Sequence, residues 1–446
     1  MGYGAYFNEA VETMEPAKLR AMQETKLRTQ LKYNAKHSSF YREKFAAAGL
    51  DPLDVTTIED LARLPFTTKD ELRDSQLAQP PLGTHAAASM ERVIRVHSSS
   101  GTTGRPSYVG ITAHDRRVWT EVVSRVYWCE GVRPNSIVAM GFGIGFFVGG
   151  LPLHDAVENI GATFLPIGTG ASDRLLSSCR DLNADILTCT PSYAAYLAEY
   201  AQTKMRLDPK SVGIRRILCG AEPGGGVPGV RRKLEELWGC EVTEGVGNAD
   251  IIPVYGAECP QRSGNHVLCG DVVILEIIDP RTGKVIEPAE GVTGELVATH
   301  IERECVPLVR FRSRDHIQVW TAPCPCGRTS WRLRIIGRTD DMLILRGVNV
   351  WPSAIKDVIS SMRPRTTGEV RILLRAPGPR VDPPLRVQVE HGPGVDDPAH
   401  LKRDAEELLR AKLVFTADVE VVAPGALPRY EMKAQLIQKL YEAPAR

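Results

Sequence analysis

Between about Asn135 and Asp279 the chain alternates apolar runs of strand length with segments of helical period, and this alternation limits the possible folds more than any other feature. The runs SIVAMGF, ATFLPIG, DILTCTP, RRILCGA and VVILEIID are separated by stretches such as SYAAYLAEYAQTK and VPGVRRKLEELWG. Strands buried on both faces read as continuous apolar runs, and parallel neighbours need a helical crossover. The pattern therefore predicts βαβ units and a mostly parallel sheet covered on both sides. After Arg334 the order becomes βαββαβ within roughly a hundred residues, the size of one small α+β domain. With the boundary near Gly337 to Asp341, a large α/β domain is expected over 1–337 and a small one over 338–446.

A chain of 446 residues can bury more than one core. Its 55 Lys+Arg balance 54 Asp+Glu without any basic block, so it lacks the electrostatic footprint of a nucleic-acid binder. MGYGAYFNEAVETMEP lacks the basic-then-apolar order of a secretory signal, and no stretch approaches the ~18 apolar residues of a membrane span. A cytoplasmic protein with no membrane partner is expected. Ten cysteines are too sparse for a disulfide scaffold, and most sit inside apolar runs as buried reduced thiols.

The most informative segment runs from His97 to Ser107. Ser98, Ser99, Ser100, Gly101, Thr102, Thr103, Gly104 and Arg105 follow the strand-like ERVIRV. Hydroxyls wrap polyphosphate, glycines free backbone N–H groups to converge on oxyanions, and Arg105 supplies compensating charge. The Walker pattern G-x-x-x-x-G-K-[ST] is absent, which argues against a P-loop ATPase. Elsewhere Gly220, Ala221, Glu222 and Pro223 form a tight turn after a strand, and Asp315 offers two acceptor oxygens. Phe142 and Phe147 lie in GFGIGFFVGG, where glycines let rings approach a planar ligand; the simpler alternative is that these rings are core. Cys324 and Cys326 make a C-x-C knuckle, and with Cys259 and His266 they suit a closed tetrahedral Zn²⁺ site. Cys269 is the substitute ligand.

With these segments in this order, the sequence resembles the adenylate-forming superfamily of acyl-CoA synthetases, adenylation domains and luciferases, and more closely its phenylacetate–CoA ligase branch. The likeness runs from Leu64–Lys69 to Leu427–Arg429, nearly the whole chain. It implies a large N-terminal adenylation domain with mixed sheets covered by helices, and a small mobile C-terminal lid. The 98–105 loop would hold ATP phosphates, the 220–223 turn would contact adenine, and Asp315 and Arg338 would contact ribose. Asp340 would be the hinge pivot, with Gly347 beside the thiol tunnel. The family's C-terminal lysine corresponds to Lys433, which would meet the carboxylate and α-phosphate, and Lys69 joins it as a catalytic candidate. The aryl-acid site would be walled by Phe142 and Phe147 over Ala221 and Val246. Some members of the branch carry a structural zinc at the Cys/His positions.

One motif departs from the family. Where members carry aromatic-Gly-x-x-Glu, this chain has Glu244, Gly245, Val246, Gly247 and Asn248. Asn248 offers a neutral oxygen where Mg²⁺ prefers a carboxylate, so Glu222, Glu244 or Asp250 would have to compensate. The same change points to an amino- or hydroxybenzoate as an alternative to phenylacetate. The expected activity is formation of an acyl-adenylate from a small aromatic carboxylic acid and ATP, then transfer to coenzyme A. Alternatives are a carrier-protein phosphopantetheine, an amine or hydroxyl acceptor, nucleotidyl transfer onto a cofactor, and a non-catalytic nucleotide-binding derivative. A homodimer is left open.

Overall fold

The computed structural model describes residues 3–99, 107–339, 341–346, 348–430 and 434–442. Lys433, Asp340, Gly347 and Ser100 to Arg105, all singled out above, lie outside the described residues.

The amino-terminal part is helical: α1 (Glu9–Glu12), α2 (Pro16–His37), α3 (Ser39–Ala47) and α4 (Lys69–Ala78). A capping box between Thr68 and Glu71 starts α4, satisfying two orphan donors reciprocally. An antiparallel hairpin follows, β1 (Val93–Ser98) and β2 (Tyr108–Thr112), whose connection is the hydroxyl-rich loop. Thr112 and Asp115 form a second capping box that starts α5 (Ala113–Cys129).

The βαβ region then runs β3 (Ile137–Met140), α6 (Leu151–Ile160), β4 (Thr163–Leu165), α7 (Ser172–Asp181), β5 (Ile186–Cys189), α8 (Pro191–Thr203), β6 (Arg216–Cys219), α9 (Pro228–Trp238) and β7 (Glu241–Asn248). These strands are parallel, in the order β4-β3-β5-β6-β7. Strand alternation feeds both faces. Ala139, Leu187 and Ile217 join a core with Leu197, Leu234 and Trp238, while Val138, Ile186 and Leu218 join another with Leu153 and Val157.

The expectation of a mostly parallel sheet through Asp279 is corrected beyond β7. There β8 (Ile252–Glu258), β9 (Asn265–Val267), β10 (Val273–Ile278), β11 (Val285–Ile286), β12 (Thr293–His300), β13 (Phe311–Trp320) and β14 (Arg332–Arg338) pair antiparallel. VVILEIID is thus β10, a strand between β11 and β12. Its continuous apolar run reflects cover on both faces, which antiparallel strands inside a large domain also receive. All these strands form one twelve-stranded sheet.

A short hairpin of β15 (Leu343–Leu345) and β16 (Val348–Val350) leads into α10 (Pro352–Ser360), β17 (Thr366–Leu374), β18 (Leu385–His391), α11 (Pro398–Leu413), β19 (Ala417–Val422) and β20 (Ile437–Lys439). Sheet order is β19-β18-β17-β20, and Ile355, Ile359, Leu401 and Leu409 pack on Ile372 and Val387 in a core of their own. No described helix is long and apolar enough to cross a membrane.

Candidate active site

In an open sheet with parallel strands, a crevice forms where successive connections leave a strand in opposite directions. Here that place is the carboxyl end of β3 and β5, because the chain passes from β3 outward to β4 and returns to β5 on the other side. The loop 141–150 emerges there. Gly141 donates its N–H to the Thr188 carbonyl at 2.8 Å, and a Cβ on Gly141 would lie 2.8 Å from that of Cys189, so only glycine lets the loop lie against β5. Phe142 packs inward on the core, whereas Phe146 is 50% and Phe147 36% exposed. The chain thus presents exposed aromatic surface at the crevice.

The hydroxyl-loop hairpin meets this aromatic loop directly. Ser98 N–H donates to the Phe146 carbonyl at 2.9 Å, and the Tyr108 and Phe146 rings lie 5.8 Å apart. Ser99 N–H donates to the Ser107 carbonyl at 2.9 Å and narrows the mouth of the loop.

The 220–223 turn follows β6. A Cβ on Gly220 would stand 4.0 Å from Phe142 Cζ, which puts the turn beside the aromatic loop. Ala221 adopts φ of +69°, a left-handed backbone that costs a residue with a Cβ roughly 1–2 kcal/mol. Glu222 accepts the N–H groups of Ser192 and Ala434, so the turn touches both α8 and the carboxyl-terminal segment. Val246 is not on the crevice surface: it is 4% exposed, in the core with Tyr255.

The carboxylates near Asn248 are each engaged. Glu244 is buried and accepts the Gly224 N–H at 3.3 Å; burial pushes its carboxyl above the usual range. A Cβ on Gly226 would fall 2.4 Å from Glu244 Oε2, so the glycines of 224–226 wrap it. Asp250 takes Lys69 Nζ at 2.6 Å on both oxygens, and Asn248 Oδ1 accepts the Asp250 N–H at 3.0 Å. Lys69 is therefore tied into an ion pair with a carboxylate distant in sequence. Asp315 on β13 and Arg338 on β14 are cross-strand partners, with Arg338 Nη1 donating to Asp315 Oδ1 at 3.2 Å.

A second constellation lies at the antiparallel end. The ligand atoms of Cys259, His266, Cys324 and Cys326 all fall within 4.8 Å of one another. Cys259 Sγ is 3.6 Å from Cys324 Sγ, and Cys326 Sγ is 3.3 Å from His266 Nε2. Hydrogen bonding from Cys259, together with His266, holds the Cys326 thiol well below its ordinary range. Cys269 belongs to the large core and is not part of the group, which corrects its standing as substitute ligand. Sequence reasoning missed the segment that clasps this cluster: Tyr6 donates to the Cys326 carbonyl at 2.9 Å, and Arg328 pairs with Glu12 at 2.7 Å. Only the acidic and aromatic residues of 3–12 hinted at it.

The AMP-binding enzyme family matches residues 24–301, and the AMP-binding enzyme C-terminal domain matches 347–439. The chain belongs to the AMP-binding enzymes. It is 35% identical to the phenylacetate–coenzyme A ligase of Thermus thermophilus over 443 residues, 95% of this chain and 97% of that one. The Escherichia coli enzyme of that name is 32% identical, with 96% of each chain covered. Within the family this chain therefore falls in the phenylacetate–CoA ligase-like branch, as an adenylate-forming acid–thiol ligase. Among solved structures, 2-hydroxyisobutyryl-CoA ligase in its postadenylation state superposes with a TM-score of 0.91 at 30% identity, over 98% of this chain and 93% of that one. The same ligase in its thioesterification state gives 0.73. This chain therefore superposes better on the postadenylation state than on the thioesterification state.

Proposed function

We propose that this AMP-binding enzyme joins a small aromatic carboxylic acid to coenzyme A. The observation that carries the aromatic assignment is the glycine-rich loop 141–150, which bears exposed Phe146 and Phe147 at the crevice, contains no charged residue and touches the hydroxyl-loop hairpin through Ser98. Planar apolar rings among glycines suit a flat apolar acid better than a charged one.

In the first step a carboxylate oxygen attacks the α-phosphorus of MgATP, and pyrophosphate leaves. In the second a thiolate attacks the acyl carbon and AMP leaves, a good leaving group that makes an inert acid transferable. Ser98 to Arg105 would cradle the phosphates, the 220–223 turn with Glu244, Gly245 and Asn248 would border the base, and Asp315 with Arg338 would take the ribose. Phe142 and Phe147 would flank the acid, with Ala221 at its edge. Lys433 would approach both anions and relieve their repulsion as charge develops. The small module, 338–446, would then rotate about Asp340 and bring Gly347 beside the thiol. The carboxylates Glu222, Glu244 and Asp250 already accept protein hydrogen bonds, and Mg²⁺ is read as part of the MgATP substrate.

Zinc is inferred for the Cys/His group. A tetrahedral ion with Zn–S near 2.3 Å sets its ligands roughly 3.8 Å apart. The 3.6 Å and 3.3 Å separations are of that order. Cys259, His266, Cys324 and Cys326 would hold it, with Ser330 near His266 Nδ1, and it would cross-link loops without entering the reaction.

Acid-dependent exchange of labelled pyrophosphate into ATP tests the reading. Phenylacetate and ring-substituted benzoates should support exchange, and 2-hydroxyisobutyrate should not. Exchange with the branched hydroxy acid alone would remove the aromatic assignment. Thioester formation with coenzyme A but not with a holo carrier protein would settle the acceptor.

A further inference from the structure

Helix α9 divides its residues between two neighbours. Val230, Leu234 and Trp238 sink into a core of the large domain. Gly229, Lys233 and Glu236, spaced four and three residues apart, share another face, and each of them meets the small module. The Gly229 N–H, an orphan donor of the first turn, donates to Asp357 Oδ1 of α10 at 3.4 Å, and a carboxylate is favoured at that end of a helix. A Cβ on Gly229 would lie 3.2 Å from that of Ser360, so glycine lets α10 come close. One turn further on, Lys233 Nζ donates to the Thr367 carbonyl at 2.8 Å and to Glu369 Oε1 at 3.2 Å, both near the start of β17. Beyond it, Arg363 Nη1 lies 3.5 Å from Glu236 Oε2.

The Lys233–Glu369 pair differs from its neighbours in burial. Both of its side chains are 16% exposed, against 71% for Glu236 and 51% for Glu199 in the other contacts between the modules. Burial would raise the Glu369 carboxyl, but Lys356, Lys233 and Arg429 outweigh it and hold it at about 2, so the carboxylate stays charged. Removing one partner of a buried pair leaves the other charge uncompensated, whereas parting the modules returns both charges to water. The pair therefore favours one arrangement of the modules rather than the folding of either. Helix α9 is also tied to the chain just after the 220–223 turn, through Arg231 Nε donating to the Gly225 carbonyl at 2.6 Å.

We propose that the Gly229–Lys233–Glu236 face of α9 is the dock that seats the small module for adenylation, with Lys233 as its positioning residue through the buried pair with Glu369. The inference rests on the two-step reaction above, in which the small module turns between the half-reactions. The arrangement it seats is the one that superposes better on the postadenylation state, and the turn toward the thiol step parts Lys233 from Glu369.

The two half-reactions of full-length K233M, E369Q and the double variant test it, with pyrophosphate exchange for the first step and thioester formation from preformed acyl-adenylate for the second. Each single variant is expected to slow exchange roughly 10-fold, because it leaves a buried charge without this partner in the seated arrangement. Thioester formation should stay within about twofold of wild type, which also verifies that the variants fold. In the double variant the loss of exchange should be no larger than in either single one, since both substitutions remove the same interaction. Equal losses in both steps would make the pair part of the permanent architecture and overturn the proposal, as would undiminished exchange in both single variants or multiplicative losses in the double one. Absence of acid-dependent exchange in the wild-type enzyme would instead overturn the ligase assignment on which the proposal stands.

Discussion

The Cys/His cluster and the crevice at β3 and β5 both join stretches far apart in sequence, yet they are built in opposite ways. At the cluster, three of the four side chains are buried and the amino-terminal segment is fastened over the knuckle by Tyr6 and Glu12. At the crevice, aromatic rings stand exposed and glycines line the walls. The small module meets the large domain partly through exposed charged contacts such as Arg429 with Glu199. Exposed ion pairs contribute about 0–1 kcal/mol each and can be broken in every cycle, whereas a closed thiolate site is costly to open. One end of the large domain is made to stay shut; the other is made to exchange its contents.

The largest expected effect sits at the cluster. Cys324→Ser should lose bound zinc, read by metal analysis, and lower stability by about 3–5 kcal/mol, seen as a fall in the unfolding midpoint. A variant with no metal loss and no shift would place the cysteines among ordinary buried thiols and erase the contrast.

At the crevice, Lys433→Ala should slow pyrophosphate exchange by about 10²–10³ while sparing thioester formation from preformed adenylate. Equal losses in both half-reactions would remove Lys433 from the moving module's chemistry.

Gly337→Ala sharpens the boundary between the two behaviours. A Cβ at 337 would fall 1.8 Å from Trp351 Cδ1, and the Trp351 ring stacks on His316 at 5.0 Å. Overpacking of this kind costs about 1–3 kcal/mol. Felt only in the arrangement that seats Trp351, it should reduce adenylation about tenfold and leave the thioester step alone. A fall in overall stability with both steps slowed alike would make that contact part of the permanent core. The smallest effect is expected from Phe147→Ala, a rise of about tenfold in the KM for the acid with little change for ATP, since a half-exposed ring contributes about 1 kcal/mol.

Several candidate site segments stand out in the sequence because their motifs are contiguous. Ser98 to Arg105, the 220–223 turn and the run from Gly337 to Gly347 are each a few neighbouring residues, so their resemblance to the family's motifs can be read along the chain. The Cys/His group was legible for a different reason: few residue types coordinate metal, so four of them stand out even when 67 positions separate Cys259 from Cys326 (326 − 259). Lys69 with Asp250 and Glu222 with Ala434 could not be paired this way, since charges and backbone N–H groups are common and spacings of 181 and 212 residues carry no signal.

What the sequence determined by itself is therefore local: strand-length apolar runs, capping boxes, glycines where backbones approach, and clustered hydroxyls and thiols. Tertiary structure decided the rest. It turned β10 antiparallel, sank Val246 into the core, paired Glu244 with the Gly224 N–H and Asp250 with Lys69, and set Arg429 against Glu199 of α8. Local propensity is a short-range property of the backbone, whereas strand direction, burial and the partner of a charge depend on which distant surfaces the folded chain brings together.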